Sequence, residues 1–291
     1  MLTVADVVGL LERLYPPELA ADWDSNGLIA GDPSAPVRRV LFAVDPVMAV
    51  ADEAIALGVD LIITHHPLFL RGVSSVAADT YKGALVHRLI RADIALYNAH
   101  TNADAAPRGV AAALADLLGV QAQRPLVPDR GDGNTSAARP TTGIGRVGEL
   151  AVPVTLKELA TMLAAAIPAA AQGVRVAGDL DGLVQRVAVV GGAGDSLFDA
   201  VRAAQADVYV TADLRHHPAS ELRERALFTG SGKPYLLDVP HYASEWPWLR
   251  YAAADLEAAS RAEIAARGGS GSITCDVSTV NTDPWDATIR I

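Results

Sequence analysis

Cysteine is almost absent from this 291-residue chain: Cys275 is the single one, which excludes an internal disulfide and any site built from several thiolates. Aromatic residues make up only 5%, and acidic residues outnumber basic ones, giving a formal charge of −10. A negative charge disfavours nucleic-acid binding, which needs a basic surface. No apolar run approaches the ~20 residues of a membrane span. The first residues also lack the features of a secretion signal, so we expect a soluble cytoplasmic protein that makes no membrane contact.

Hydrophobic residues are nevertheless plentiful, at 51%, so a sizeable core can form. They occur as short apolar runs that alternate with stretches of helical periodicity. In the first half, strands are predicted at 38–45, 59–67 and 93–100, and helices at 46–58, 80–92 and 108–120. Near-continuous apolar strands separated by helices are typical of parallel sheets covered on both faces. The sequence therefore predicts an α/β fold with mostly parallel sheets covered by helices.

Histidine is concentrated in short segments that directly follow predicted strands. The six residues in these segments are His65, His66, His100, His216, His217 and His241; only His87 lies elsewhere. The carboxylates nearby are Asp104, Asp213, Asp238 and Glu245. Imidazoles and carboxylates brought together at strand ends are the ligands that a divalent metal needs. Open α/β sheets also bind their ligands at the carboxyl ends of the strands.

Adjacent histidines and i,i+4 pairs leave alternatives open. His65 and His66 point to opposite faces if the strand continues, so one can bind a metal while the other faces a second metal, faces the cleft wall or has a structural role. His241 and Glu245 are four residues apart at the start of a predicted helix, where one turn brings them together. By itself this spacing is weak evidence for a metal site, but the predicted strand directly before His241 strengthens the evidence.

The segment YNAHTNAD (97–104) has two interpretations. His100 and Asp104 share one face if the turn between them is helical, which would make both available to a metal. Alternatively, Asp104 or Asn102 caps the helix that begins here.

Two polar loops are equally open. In DWDSNGL (22–28), Trp23 stands among acidic and amide side chains, either in a loop beside the metals or in an Asp/Asn turn anchored by a buried Trp. In VVGGAGDS (189–196), backbone amides at a helix start could receive an anion such as phosphate. The glycines could instead serve only tight packing of the strand against the helix.

The alternation of strands and helices is interrupted between residues 121 and 143, where Pro, Gly, Asp, Ser and Thr dominate. This composition predicts a linker or mobile loop. We therefore expect two lobes. The metal-binding α/β lobe would comprise 1–120 plus 234–291, the second α/β lobe 144–233, with the metal site in the cleft at the carboxyl ends of the strands.

Seven segments together resemble the NIF-three-like family, whose members are also called GTP cyclohydrolase 1 type 2 homologues. They follow the family order from about residue 22 to 245 and are specific as a set. The segments are DWDSNGLIAGDP (22–33), LFAVDP (41–46), DLIITHHPLF (60–69), YNAHTNAD (97–104), VAVVGGAG (187–194), VYVTADLRHH (208–217) and LLDVPHYASE (236–245).

The resemblance implies a dinuclear metal centre. The metal ligands carried over from the family are His65, His66, Asp104, His241 and Glu245. His100 is expected to be a further ligand or a catalytic base, and His217 a second catalytic candidate for proton transfer. We expect two divalent ions per chain, with zinc or iron favoured over manganese or nickel. Family members are toroidal hexamers built from dimers, so a homohexamer is also expected.

Such a centre suits hydrolysis. Two ions roughly 3.5–4 Å apart can bridge a water molecule, make it more acidic and hold it for attack. We therefore expect a metal-dependent hydrolase acting on a nucleotide-like or phosphorylated small molecule, with GTP cyclohydrolase chemistry as the reaction that the resemblance implies. The alternative is a non-catalytic metal-binding adaptor or metal-handling protein. No organic cofactor is expected.

Overall fold

The structure is a computed structural model that describes residues 1–129 and 141–289. These residues form two compact units. Unit 1 comprises Met1–Ala106 and Leu249–Thr282, and unit 2 comprises Pro107–Trp248 and the described residues from Asp283 onward. Within the described ranges, every helix is too short or too polar to cross a bilayer.

Unit 1 is built around a small α/β sheet. Its elements are β1 (Leu2–Thr3), α1 (Val4–Leu14), a 3-10 turn (Pro17–Leu19), β2 (Gly27–Ala30), β3 (Pro36–Val37), β4 (Arg39–Ala43), α2 (Met48–Leu57), β5 (Leu61–Thr64), α3 (Tyr81–Arg91), β6 (Ala95–Asn98), α4 (Thr101–Ala105) and, much later in the chain, β15 (Thr274–Val277).

The sheet of unit 1 has five strands in the order β15-β4-β5-β6-β2. The first four run parallel, and β2 is antiparallel to β6. All residues of β5 and β6 are buried, which explains why these strands appear in the sequence as continuous apolar runs. Helices α2 and α3 cover the sheet through a core that includes Leu41, Val50, Ile62 and Leu89.

Local sequence signals set the ends of the helices. Thr3 accepts a hydrogen bond from the amide of Asp6 and the Asp6 carboxylate accepts one from the amide of Thr3, so α1 begins with a reciprocal cap. Helix α2 ends at Gly58, whose left-handed φ of 64° costs glycine little. Gly58 shortly precedes β5, so this second cap sets where the chain turns back toward the sheet.

Unit 2 has a larger sheet. Its elements are α5 (Val110–Leu117), β7 (Val120–Arg124), β8 (Val127–Pro128), β9 (Gly143–Ile144), β10 (Arg146–Thr155), α6 (Leu156–Ala166), β11 (Arg175–Ala177), β12 (Leu183–Ala193), a 3-10 turn (Asp195–Leu197), α7 (Phe198–Ala203), β13 (Val208–Ala212), α8 (His216–Phe228), β14 (Tyr235–Val239) and the start of α9 (His241–Ala266). The boundary with unit 1 falls inside α9, after Trp248.

The sheet of unit 2 has six strands in the order β11-β14-β13-β12-β10-β7. The three central strands β14, β13 and β12 are parallel, whereas β11, β10 and β7 pair antiparallel with their neighbours. This sheet is therefore mixed. Its core includes Val147, Ala188, Val201, Tyr209 and Leu222, contributed by the sheet and by α7 and α8.

In both units, an aspartate at the amino end of a parallel strand accepts hydrogen bonds from two backbone amides of the neighbouring strand's start. In unit 1, the carboxylate of Asp60 accepts hydrogen bonds from the amides of Arg38 (2.7 Å) and Arg39 (2.9 Å). In unit 2, Asp207 accepts from Gln185 (2.8 Å) and Arg186 (2.9 Å). Asp60 directly precedes β5 and Asp207 directly precedes β13, and each bonds to the start of the neighbouring parallel strand, so each helps to fix the register of the pair.

The predicted α/β fold with helix-covered sheets is confirmed. The compact units divide the chain elsewhere than the predicted lobes: residues 107–120 and 234–248 belong to unit 2, where α5 contacts β12, β7 and β10 and where β14 pairs with β13. Strands β7 and β8 also occupy part of the predicted linker. Because β7 is an edge strand with mostly exposed polar side chains, its composition resembles that of a loop. Residues 130–140 of the predicted linker lie outside the described residues.

Candidate metal centre

Three histidines of unit 1 converge beyond the carboxyl ends of neighbouring strands. His65 and His66 follow β5, and His100 follows β6. The ring centroids are separated by 5.1 Å (His65–His66), 5.2 Å (His65–His100) and 5.6 Å (His66–His100). One potential ligand nitrogen from each ring lies within 4.8 Å of the other two. His65 and His66 do not face opposite sides of the sheet, because they lie in a bend and not in extended strand.

Each of these three rings has its Nδ1 atom beside an oxygen acceptor. The Nδ1 distances are 3.0 Å from His65 to the carbonyl of Ala99, 2.7 Å from His66 to Oδ1 of Asp45, and 2.8 Å from His100 to Oδ1 of Asp24. A carbonyl or ionised carboxylate only accepts, so Nδ1 carries the hydrogen and the lone pair of the neutral ring is on Nε2. Metal-binding histidines are commonly held in this way.

A carboxylate lies beside this group of histidines. Oδ1 of Asp104 lies 3.7 Å from Nε2 of His65. The amide of Asp104 donates to the carbonyl of His100 over 3.0 Å, so the turn between these residues is helical, as one of the two interpretations required. The N-cap position of this helix is His100, so neither Asn102 nor Asp104 caps it; Oδ1 of Asn102 accepts from the amide of His100 at 2.9 Å. Three imidazoles and one carboxylate fit a divalent zinc, iron, manganese or nickel ion.

Asp24 is a structural support of this group. Its carboxylate is buried and accepts from Nδ1 of His100, from the hydroxyl of Thr101 and, at 2.9 Å, from the amide of Thr101. Burial alone would raise the pKa of Asp24, but these hydrogen bonds outweigh it and hold the pKa well below its usual range. Asp24 therefore stays ionised and keeps the His100 ring in place.

The loop that carries Asp24 matches neither sequence interpretation completely. It is a turn fixed by polar side chains beside the histidines, but Trp23 does not anchor it from within the core. The Trp23 side chain is 63% exposed, and its ring meets that of His100 edge to face at 5.9 Å.

Unit 2 contributes a second group where β14 ends and α9 begins. His241 is the first residue of the helix, and Glu245 lies one turn further. Nε2 of His241 is 2.9 Å from Oε1 of Glu245, and its Nδ1 is 2.6 Å from Oδ2 of Asp213. Glu245 is buried, with 3% exposure. The hydrogen bond from His241 lowers the pKa of Asp213.

A glycine makes room for this pair. Gly192, near the end of β12, has a φ of 68°, and a Cβ there would lie 2.6 Å from Oε1 of Glu245 and 3.2 Å from Nε2 of His241. Its amide donates to the hydroxyl of Ser244 over 2.9 Å. The glycine-rich loop thus packs tightly against α9. This contact favours the packing interpretation over an anion cradle, because the amide of Gly192 already has an acceptor.

His217 lies in a different setting. It is exposed in the first turn of α8, where its ring is 5.2 Å from that of His216. It lines a cavity of about 390 Å³ with residues that include Phe198 and Glu221. Its predicted part in proton transfer therefore stays a prediction.

Sequence reasoning missed one supporting residue. Asp45 follows β4 in the motif LFAVDP and holds His66, yet it received no role. The signal was available, because β4 is parallel to β5 and their carboxyl ends meet at one edge of the sheet.

The fold and these two groups define an α/β protein whose described residues could hold metal ions. The sequence profile of the Duf34/NIF3 family (NGG1p interacting factor 3) matches residues 2–269. A Streptomyces coelicolor protein named GTP cyclohydrolase 1 type 2 homolog is 50% identical over 287 residues, covering 99% of this chain and 95% of the relative. A Mycobacterium tuberculosis protein of the same name is 36% identical, covering 97% and 96%.

Solved structures agree with the profile. A Bacillus cereus protein related to NIF3 superposes with a TM-score of 0.84 at 25% identity, covering 98% of this chain and 99% of the other. The chain belongs to the Duf34/NIF3 family. The expected family is thereby confirmed.

Proposed function

We propose that this chain is a metal-dependent hydrolase acting on a nucleotide-like or phosphorylated small molecule. The observation that carries the proposal is the convergence of His65, His66 and His100, each with its Nδ1 against an oxygen acceptor. With Nδ1 held by these oxygens, Nε2 is the atom of each ring that remains for a metal, and one potential ligand nitrogen of each ring lies within 4.8 Å of the other two. Packing alone gives no reason for such an arrangement.

Two divalent ions per chain are proposed, and five residues are the proposed ligands. They are His65, His66 and Asp104 of unit 1 and His241 and Glu245 of unit 2. His100 is proposed as a further ligand or as a base. Zinc or iron is favoured, and manganese or nickel also suits these donors. A bound divalent ion supplies Lewis acidity, which polarises a substrate oxygen and makes water more acidic.

The residues around the ligands orient them and carry charge. Asp24, Asp45 and the carbonyl of Ala99 fix three imidazole rings, so the ligand atoms need little reorganisation. Asp104 contributes a negative charge that offsets part of a dication's charge. Glu245, buried beside His241, holds a carboxylate where solvent screens it little, so its negative charge would also offset that of a dication.

The relatives' names suggest the first substrates to test. Both curated relatives described above are called homologues of GTP cyclohydrolase 1 type 2, so purine nucleotides come first. The test measures hydrolysis of a panel of nucleotides and phosphoesters by metal-loaded protein, with Glu245→Gln as the inactive variant and His87→Ala as the matched control. We expect turnover that is lost in Glu245→Gln and kept in His87→Ala.

Two outcomes contradict the proposal. Equal turnover by Glu245→Gln would show that the activity comes from a contaminant. Full metal content without turnover on any substrate would favour the non-catalytic adaptor.

We also propose that the chain assembles as a homohexamer. Light scattering would test this, with the 30.3 kDa chain as the unit of mass. A monomer at micromolar concentration would contradict it.

A further inference from the structure

Trp23 exposes its indole ring to solvent, in a chain of which only 5% of the residues are aromatic. Its side chain is 63% exposed, whereas Trp248 is fully buried. Keeping an indole in water forgoes the favourable burial that an aromatic side chain usually gains. Such exposure beside a candidate site suggests that a ligand covers the ring when it binds.

The backbone around Trp23 is held rigidly. The amide of Ala21 donates to the hydroxyl of Thr101 at 2.9 Å, and the amide of Asp24 donates to the carbonyl of Ala21 at 2.9 Å. The Asp24 carboxylate in turn holds both His100 and Thr101. The indole is therefore an exposed ring on a fixed support, and a ligand that stacks on it has little loop ordering to overcome.

The exposed ring lies at the histidine cluster. The indole centroid is 5.9 Å from that of His100, and the ring planes are inclined by 78°. A flat molecule stacked on Trp23 would consequently lie beside His100, within reach of the residues proposed to bind metal.

From exposure, support and position together, we propose that Trp23 is the stacking platform for a planar heteroaromatic ring, such as a nucleobase, in the substrate. This inference rests on the proposed function and narrows its substrate class from phosphorylated molecules in general to molecules that carry a base. Stacking suits any flat heterocycle, because every such ring offers a π-face, so Trp23 selects the class and not one base.

The experiment measures equilibrium binding, which does not depend on turnover. Metal-loaded protein is titrated with GMP and, separately, with ribose 5-phosphate, by equilibrium dialysis and by tryptophan fluorescence. GMP should bind and quench fluorescence, and ribose 5-phosphate should bind at least tenfold more weakly. Trp23→Ala should weaken GMP binding about tenfold, and Trp23→Phe should retain most of it.

Trp285 provides the matched control. It is 67% exposed and belongs to unit 2, so Trp285→Ala should leave the GMP affinity unchanged. The metal content of Trp23→Ala should equal that of the wild type, since the loss is expected in ring binding alone.

Three results would overturn the inference. They are equal affinity of wild type and Trp23→Ala for GMP, equal affinity of the wild type for GMP and ribose 5-phosphate, and a change in particle mass of Trp23→Ala with unchanged GMP binding. The last result would mean that a second copy of the chain covers the ring. Absence of hydrolysis would count against the proposed function only, because this binding measurement stays readable without it.

Discussion

Nδ1 of His100 donates to Oδ1 of Asp24 over 2.8 Å, joining two segments that are 76 residues apart in the chain. Asp24 precedes the antiparallel edge strand β2, and His100 follows β6, the neighbour of β2 in the sheet. The orientation of the His100 ring therefore depends on a residue next to β2, an edge strand that contains no proposed ligand.

Asp24→Asn tests this link. The amide can donate where the carboxylate only accepts, so the His100 ring loses its fixed tautomer. We expect metal affinity to fall about 10–100-fold, the usual effect of losing such a supporting residue. Competition with a chelator measures it, and Asp22→Asn, an exposed change in the same loop, is the control. Equal affinities in the two variants would argue against a supporting role.

Asp104→Asn tests the ligand set. The change keeps the size of the side chain but removes the charge that offsets a dication. Elemental analysis should give about two divalent ions per wild-type chain and at least one fewer in the variant, with the fold preserved by circular dichroism. His87→Ala should keep the wild-type metal content. A wild-type value of one or none after metal-replete purification would contradict the proposed stoichiometry.

His217→Ala tests whether His217 acts in proton transfer or binds metal. We expect unchanged metal content and activity lowered about 10–100-fold. His241→Ala, by contrast, should lose metal. If His217→Ala loses metal as completely as His241→Ala, the assignment of ligands is incorrect; unchanged activity would remove His217 from the mechanism.

Gly192→Ala tests the close approach of β12 and α9. The new Cβ would need the left-handed φ and would also lie 2.6 Å from Oε1 of Glu245. We expect a loss of about 3 kcal/mol in unfolding free energy together with weaker metal binding. Gly173→Ala has a similar φ of 64° with no atom within 4 Å, so it should lose only about 1 kcal/mol. Thermal melts of the two variants separate two effects. Gly173→Ala reports backbone strain alone, and Gly192→Ala reports backbone strain together with the close contact to Glu245.

Asp207→Asn tests the aspartate of unit 2 that accepts hydrogen bonds from the amides of Gln185 and Arg186. Burial opposes ionisation, but hydrogen bonds from Lys233 and from the amides of Arg186 and Gln185 outweigh it, so the folded-state pKa is lowered. A lowered pKa gives stability above the unfolded value near 4, which is lost as pH falls through the folded value. The variant should melt a few degrees lower at pH 7, and the difference should shrink below pH 4. Asp199→Asn, an exposed change, is the control; a difference independent of pH would contradict this assignment.

The parallel part of the fold could be predicted from sequence because burial on both faces makes each strand a continuous apolar run. The histidine segments could be predicted because parallel strands direct their carboxyl ends to one edge. Strand direction in β7, β10 and β11 could not be predicted, since exposed and half-exposed strands have no such pattern. The membership of β14 in unit 2 depends on pairing with β13, which is a long-range hydrogen-bonding choice.

The supporting residues were harder to identify than the ligands. Asp24 and Asp45 act through single hydrogen bonds to ring nitrogens, and the type of residue alone does not reveal which nitrogen it contacts. The exposure of Trp23 was also unpredictable, because a tryptophan in an Asp/Asn loop is compatible with either a buried or an exposed ring.

The hydrogen bonds of Asp60 at the start of β5 also affect the residues that follow the other end of this strand. His65 lies five positions after Asp60, a distance of about 16 Å along extended chain. In the bend that follows β5, the amides of His65 and His66 donate to the carbonyls of Ala43 and Val44 at 3.1 and 2.9 Å, so the chain stays bonded to the end of β4. A slip of one position would exchange the fully buried His65 for a neighbour of different shape. Two amide hydrogen bonds at one margin of the sheet thus help to set which side chain is presented at the other, so sequence changes remote from the proposed metal ligands can alter the proposed site.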